Sequence, residues 1–156
     1  FCYLACLQDK FTRRIVGWKI AKRMTAQLVI DVFLQARKRG LIGKNAIIHT
    51  DRGSQYAAVE YRRLLYIGGF RQSMSRRGNC YDNAQAESFF SRLKAELVEN
   101  GNFESVEDAC SEVFSYIEGY YNRIRRHSSL NNQSPEQFEK QLKLENKIRS
   151  RESFVS

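Results

Sequence analysis

The sequence predicts an α/β fold, and three observations carry that prediction. Residues 46–56 run Ala-Ile-Ile-His-Thr-Asp-Arg-Gly-Ser-Gln-Tyr. Three apolar, mostly β-branched residues lead to an acid, and a glycine and a serine follow at once, the order of a buried strand, a turn and a helix start. Residues 1–20 read as two strands around a turn. Long stretches after residues 25, 54, 84 and 105 carry apolar residues at helical spacing. Strands alternating with helices in this way make a layered α/β domain.

Residues 1–7 are a short apolar run, a plausible buried strand in which Cys2 and Cys6 share a face, which suggests packing more than bridging. Asp9-Lys10-Phe11-Thr12 turns it, and residues 14–20 alternate charged and apolar side chains as the second strand of a hairpin. Thr25 caps a helix with Leu28, Val29, Val32, Phe33 and Ala36 on one face. Arg37-Lys38-Arg39 in its last turn and Gly40 beyond complete the ending. The strand at 46–50 delivers Asp51 to the sheet edge, where ligands of open α/β sheets collect. Ser54 caps the next helix, which reaches about residue 66 with Tyr61, Leu64 and Leu65 as its core face; Gly68-Gly69 stops it and residues 70–73 add a short strand.

Residues 74–81 hold two arginines, a glycine and no apolar period, and read as a mobile loop. Asp82 or Asn83 then caps a helix with Glu87 in its first turn and a stripe of Ala86, Phe89, Phe90, Leu93 and Leu97. Ser105 and Asp108 form a capping box. Behind it Val106, Ala109, Cys110, Val113, Ile117, Tyr120, Tyr121 and Ile124 recur at helical spacing as core. Ser134-Pro135-Glu136-Gln137 opens a last helix with proline at its favoured first position. Residues 1–140 thus form one domain, and residues 141–156 are charged, lack a core pattern and are expected to fray.

A chain of 156 residues can bury one sizeable core. The net charge of +9 points to a polyanionic partner. Its placement supports this: residues 10–44 carry Lys10, Arg13, Arg14, Lys19, Lys22, Arg23, Arg37, Lys38, Arg39 and Lys44 against Asp31, and Arg123, Arg125 and Arg126 cluster later. The four cysteines show no metal-ligand spacing, which fits a reduced cytoplasmic setting. No run of about 18 apolar residues is present to span a membrane. Residues 1–7 lack the basic leader and cleavage site of a signal peptide.

Asp51 and Glu87 are separated by 35 residues. With HTDRGSQY at 49–56, SMSRRGNCYDNAQAESFFSRLKAEL at 73–97 and YYNRIRRHSSLNNQSPEQF at 120–138, the sequence resembles the catalytic core shared by retroviral integrases and insertion-sequence transposases, the DDE family. The insertion-element branch is the closer match. The resemblance implies an RNase H-like mixed sheet flanked by helices, with a C-terminal helical extension. In that family a first catalytic Asp lies on a first strand, upstream of a segment like residues 1–18. The first strand and its Asp are therefore expected to be missing here, and the sheet to show a gap or a split between the hairpin and the strand at 46. Asp9 matches a turn acid of the family.

Asp51 and Glu87 are, by this resemblance, the catalytic metal ligands, binding Mg²⁺ with Mn²⁺ as a substitute. The implied reactions are nicking at an element's 3′ end and attack of that 3′-OH on target DNA, both in-line displacements without a covalent enzyme intermediate. With two acids, this chain is expected to be inactive alone. Lys94, two turns after Glu87, matches a DNA-contacting lysine of retroviral integrases, and Arg76 and Arg77 are positioned to clamp DNA. His49 shares the face of Asp51 and fits a supporting hydrogen bond better than Mg²⁺ ligation, and Asn83 is best explained as a cap beside the site. The implied partners are element-end and target DNA and further copies of the chain, in the bacterial cytoplasm at the nucleoid. The alternative is a catalytically silent DNA-binding fragment that pairs with a complete subunit.

Overall fold

The computed structural model describes residues 1–76, 84–98 and 103–152, with side chains to residue 147. Strands β1 (Tyr3–Gln8) and β2 (Ile15–Ala21) form an antiparallel hairpin in the register Tyr3↔Ala21 to Leu7↔Gly17, with an irregularity at Leu7/Gln8. Asp9 makes the turn: its Oδ1 accepts from the backbone N–H groups of Phe11 (2.8 Å) and Thr12 (2.7 Å). It is a turn acid, as expected. Cys2 lies outside β1 and is exposed, so it does not share a strand face with Cys6.

Helix α1 (Ala26–Lys38) follows its prediction closely. Thr25 Oγ1 accepts from Leu28 N at 3.3 Å, the five expected side chains are buried, and Gly40 takes the left-handed conformation at φ 67°. It lies on the hairpin at Gly17, where an added Cβ would come within 2.5 Å of the Val32 carbonyl. Strands β3 (Ile47–Thr50) and β4 (Arg71–Met74) pair in parallel from Ile47↔Arg71 to Thr50↔Met74. β3 is covered on one side only. Ile48 and Thr50 are buried while Ile47 is 57% exposed, so the strand is not buried on both faces.

The helix expected from 54 to 66 is two helices, α2 (Ser54–Ala57) and α3 (Val59–Ile67), because Ala58 adopts an extended conformation (φ −57°, ψ 139°) between them. Ser54 is the first residue of α2 and not its cap. Helix α4 (Ala84–Leu93) runs into a π-helical turn, Lys94–Val98. Helix α5 (Val106–Phe114) has its capping box, with Ser105 Oγ accepting from Asp108 N and Asp108 accepting from Glu104 N. It too widens, into a π-helix at Ser115–Tyr121. A π-turn takes more than 3.6 residues, so the apolar stripe changes phase there. Tyr116, Ile117 and Tyr121 are buried, whereas Tyr120 (41% exposed) and Ile124 (65%) have left the stripe on which even spacing placed them. Helix α6 (Pro135–Glu152) starts with a reciprocal box between Ser134 and Gln137 and runs without a break past residue 140.

Strand β1 divides two cores. Ala5, with Leu7 packed beside it, joins Leu28, Phe33, Ile48, Tyr61 and Leu65 on one face. Leu4 and Cys6 pack on the other, against Ile15, Phe89, Leu93, Val113, Ile117 and Tyr121. The outer edge of β2 is closed by side chains. Fully buried Asn122 accepts from Ile15 N (2.9 Å) and donates to Ile15 O (3.0 Å), and Gln35 Oε1 accepts from Trp18 N (2.8 Å). β1 pairs only with β2 and β3 only with β4 among the described residues, so the sheet is split at the place expected.

Removing Asn122 leaves both backbone groups of Ile15 buried without partners, at roughly 1–3 kcal/mol each. Asn122→Ala should lower unfolding free energy by about 3 kcal/mol in urea titrations, while Arg123→Ala should stay within about 0.5 kcal/mol. A second expectation concerns His127, whose ring stands edge-on to Tyr121 at 5.0 Å. Burial, then the charges of Arg125 and Arg13, lower its pKa from 6.5 to about 4, with Arg92 adding to the effect and Glu96 opposing it. The unfolded chain takes up a proton below pH 6.5 that the folded chain refuses until about 4. Stability should therefore fall with pH across that window, and fall less in His127→Gln, as urea midpoints at pH 7.5 and pH 5 would show.

Candidate active site

The carboxyl end of β3 is held by the strand beside it. Ser75 N donates to Thr50 O at 2.9 Å, extending the β3–β4 ladder, and Arg52 Nε donates to Ser75 O at 2.9 Å. The His49 ring lies between two hydroxyls, Nδ1 3.0 Å from Ser73 Oγ and Nε2 3.1 Å from Ser75 Oγ. Both ring nitrogens are thus engaged, which suits a residue that orients the strand end and leaves none for a metal.

Asp51 follows, and its Oδ1 accepts from Gly53 N at 2.7 Å. This turn takes over the work expected of a Ser54 cap: the carboxylate stabilises the chain reversal and the following helix begins without a side-chain cap. The other carboxylate oxygen makes no hydrogen bond or ion pair among the described residues. Tyr56 packs beneath, its phenol pushed up to about 12 by burial first and by the negative charge of Asp51 second. Asp51 is therefore an exposed anion standing over a neutral, half-buried aromatic.

Glu87 reaches the same place from the opposite side. It lies in the first turn of α4, exposed and without an ion-pair partner among the described residues. Two residues on, buried Phe89 stacks edge-on against Tyr121 at 5.0 Å and anchors α4 in the second core. Asp51 and Glu87 line one cavity of about 410 Å³. Its floor comes from α1 and its sides from β1 and β3, and consecutive residues 4–8 of β1 all face it, as they would along an open strand edge. Ala86 and Phe90 of α4, expected in the core, instead line this cavity and are exposed to it.

Lys94 opens the π-helical turn after α4; it is exposed and does not line this cavity. Arg76 is exposed just past β4. Arg77, Asp82, Asn83 and Cys80 lie outside the described residues. Among the described residues no group of three His, Cys, Asp or Glu side chains stands close enough to hold a metal ion. Asp51 and Glu87 do supply the hard, exposed oxygen donors that Mg²⁺ prefers. Asn122, the residue on which the second core closes, carries a polar type at a helix end as its only sequence signal.

The fold is that of integrase catalytic cores, the RNase H-like fold. The crystal structure of the catalytic core domain of BIV integrase is similar with a TM-score of 0.65 at 20% identity, over 94% of this chain and 89% of that one. The HTLV-2 integrase catalytic core domain in complex with magnesium is similar with a TM-score of 0.57 at 14% identity, over 84% and 79%. Two integrase core domain models match the sequence, at residues 1–80 and 68–135. The chain belongs to the integrase core domain family. It is 49% identical to the transposase for insertion sequence element IS904 of Lactococcus lactis over 138 residues, 88% of this chain and 54% of that protein. It is 47% identical to transposase InsF for insertion sequence IS3A of Escherichia coli over 137 residues, 88% and 48%. The chain spans about half the length of these relatives.

The turn at Asp51 separates two substitutions. Asp51→Asn keeps an acceptor for Gly53 N and should leave thermal unfolding unchanged. Asp51→Ala removes it and should cost about 1 kcal/mol, read as a lower midpoint in urea.

Proposed function

We propose that this chain is the catalytic-core portion of a transposing enzyme that cuts and joins DNA, with Asp51 and Glu87 holding divalent metal. The observation that carries the reading is that these two carboxylates, from different elements, line one cavity. Similarity to insertion-sequence transposases supports DNA as substrate, and the magnesium named with the HTLV-2 core supports Mg²⁺, with Mn²⁺ as a substitute. Bound there, Mg²⁺ would activate the attacking water or 3′-hydroxyl and stabilise the leaving oxygen.

The chain's own residues hold and aim. Asp51 is fixed by its turn and by the His49 clamp behind it, and Glu87 by the anchoring of Phe89. Lys94, Arg76 and Arg77 contact the DNA strand in this reading, and several copies of the chain act together on element ends and target. A third carboxylate, brought by a strand seated between the open edges of β1 and β3, completes the ligand set. The lack of a three-ligand group among the described residues favours that addition, and it also keeps a second reading, a DNA-binding chain that does not cut.

Cleavage and joining of labelled element-end duplexes with Mg²⁺ or Mn²⁺ tests both. Residues 1–156 should show no appreciable activity. A version extended at its N-terminus by an apolar strand bearing one Asp should nick and join, and Asp51→Asn or Glu87→Gln should abolish this while the fold persists. Strong metal-dependent activity from residues 1–156 alone, lost in Asp51→Asn, would place the third ligand elsewhere, at Asp9 or Asp82. An extended version that binds DNA and never cuts would favour the silent reading.

A further inference from the structure

Beside the carboxylate cavity lies a second one, of about 570 Å³, walled by the hairpin turn at Arg13, by the side of α4 that carries Ala84, Ser88 and Arg92, and by the corner at residues 125–129. Gln8, Gln85 and Phe89 line both cavities, so the two adjoin. Ser88 and Arg92 are four apart on α4 and share a face. One helix thus turns Glu87 toward the first cavity and Arg92 toward the second.

The charges in this second cavity are unbalanced. Arg125 is neutralised, its Nη2 3.0 Å from Glu96 Oε1 and its Nε 3.2 Å from both carboxylate oxygens. Arg13, Arg92 and Arg126 line the same space, and none of them makes an ion pair with a carboxylate among the described residues, although Glu96, already bonded to Arg125, also feels the charge of Arg92. Other cations are paired, Arg14 with Glu136 and Glu139, Lys19 with Asp31, and Arg39 with Glu118. Arg62 and Arg63 on α3 stand without an ion pair among the described residues, but they converge on no cavity with a third arginine from another element. Arg13 also sits at φ 64°, a left-handed conformation that suits glycine or asparagine and is uncommon for a long side chain. The backbone there is locked by Gln8 Nε2 donating to Arg13 O at 3.0 Å. In the wall, His127 Nε2 and Gln85 Oε1 are buried with no hydrogen-bond partner.

We propose that this cavity binds a phosphate group of the DNA backbone, held by Arg13, Arg92 and Arg126 next to the carboxylate site. Guanidinium forks match a phosphodiester's paired oxygens and read no base, so the contact is independent of sequence. Because the cavities share walls, a phosphate seated here fixes the strand within about one helix diameter, roughly 10 Å, of Glu87. The inference rests on the DNA reading above and adds the place and residues of a backbone clamp.

Fluorescence anisotropy with a labelled duplex, between 50 and 200 mM salt, provides the test. A triple variant, Arg13→Gly with Arg92→Gln and Arg126→Gln, is compared with a charge-matched control, Arg62→Gln with Arg63→Gln and Arg71→Gln. Circular dichroism confirms that each is folded. The clamp variant should bind at least tenfold more weakly at low salt, and its slope of log affinity against log salt should shrink by about 1, the loss of one neutralised phosphate. The control should change far less. Arg13→Gly alone should weaken binding while unfolding at the same or a higher temperature, since glycine accepts the φ; a purely structural arginine would give the second effect without the first. Equal weakening in both triple variants, or wild-type binding in the clamp variant, would overturn the clamp and leave the DNA reading standing. Failure of the wild-type chain to bind duplex at low salt would overturn the DNA reading itself.

Discussion

The pairing of Asn122 with the backbone of Ile15 is the contact on which the second half of the molecule depends. A carboxamide here does what a neighbouring strand would do: it offers one acceptor and one donor to a strand residue and receives both bonds. The backbone of the same residue accepts from Glu136 N at 3.0 Å. One residue therefore joins the end of the π-helical segment, the start of β2 and the start of α6. Since an amide buried without partners is costly, this arrangement fixes the end of the Ser115–Tyr121 segment to within hydrogen-bond tolerance. Tyr121 is thereby placed under Phe89, and Phe89 places α4 and Glu87.

The contrast between the two kinds of strand edge organises the rest. Along β2 the outer edge is occupied by Asn122 and Gln35. The facing edges of β1 and β3 have no ladder partner among the described residues, and the cavity, the exposed carboxylates and the exposed side of Phe90 gather there. Polar backbone that is not satisfied by its own sheet demands a partner. The proposed metal site thus lies where the hydrogen bonding of the fold is itself incomplete, so occupation of the cleft and assembly of the ligand set become one event.

Much of this is legible in the chain where the determinants are local. The α1 stripe and the caps at Thr25, Ser105 and Ser134 depend on residues within one turn, and they read correctly. The places of Asp51 after a strand and of Glu87 in a first helical turn are also legible, because both are local patterns. What the sequence hides is set by distant contacts. The break at Ala58 leaves no proline or glycine as a signal. The π-helical turns have no composition of their own, and they shift Tyr120 and Ile124 out of an even-looking stripe. Ile47 reads as core because it is apolar, yet strand alternation turns it away from buried Ile48 and Thr50 to the uncovered side of the sheet. Ser54 reads as a cap by type, while Asp51, three residues earlier, has already turned the chain.

The alternating allegiance of β1 sets a limit on how this sequence can vary. Ala5 and Leu7 belong to one core and Leu4 and Cys6 to the other, so neighbouring positions answer to different packing partners. Substitutions within either set can be compensated by changes across its own core. A one-residue insertion or deletion upstream of the turn would exchange the two sets at a stroke, delivering leucine where alanine fits and the reverse, because side-chain direction in a strand repeats every two residues. Length in this strand should therefore be held far more tightly than composition, and lineages can drift in what β1 contains while staying unable to drift in how many residues it counts.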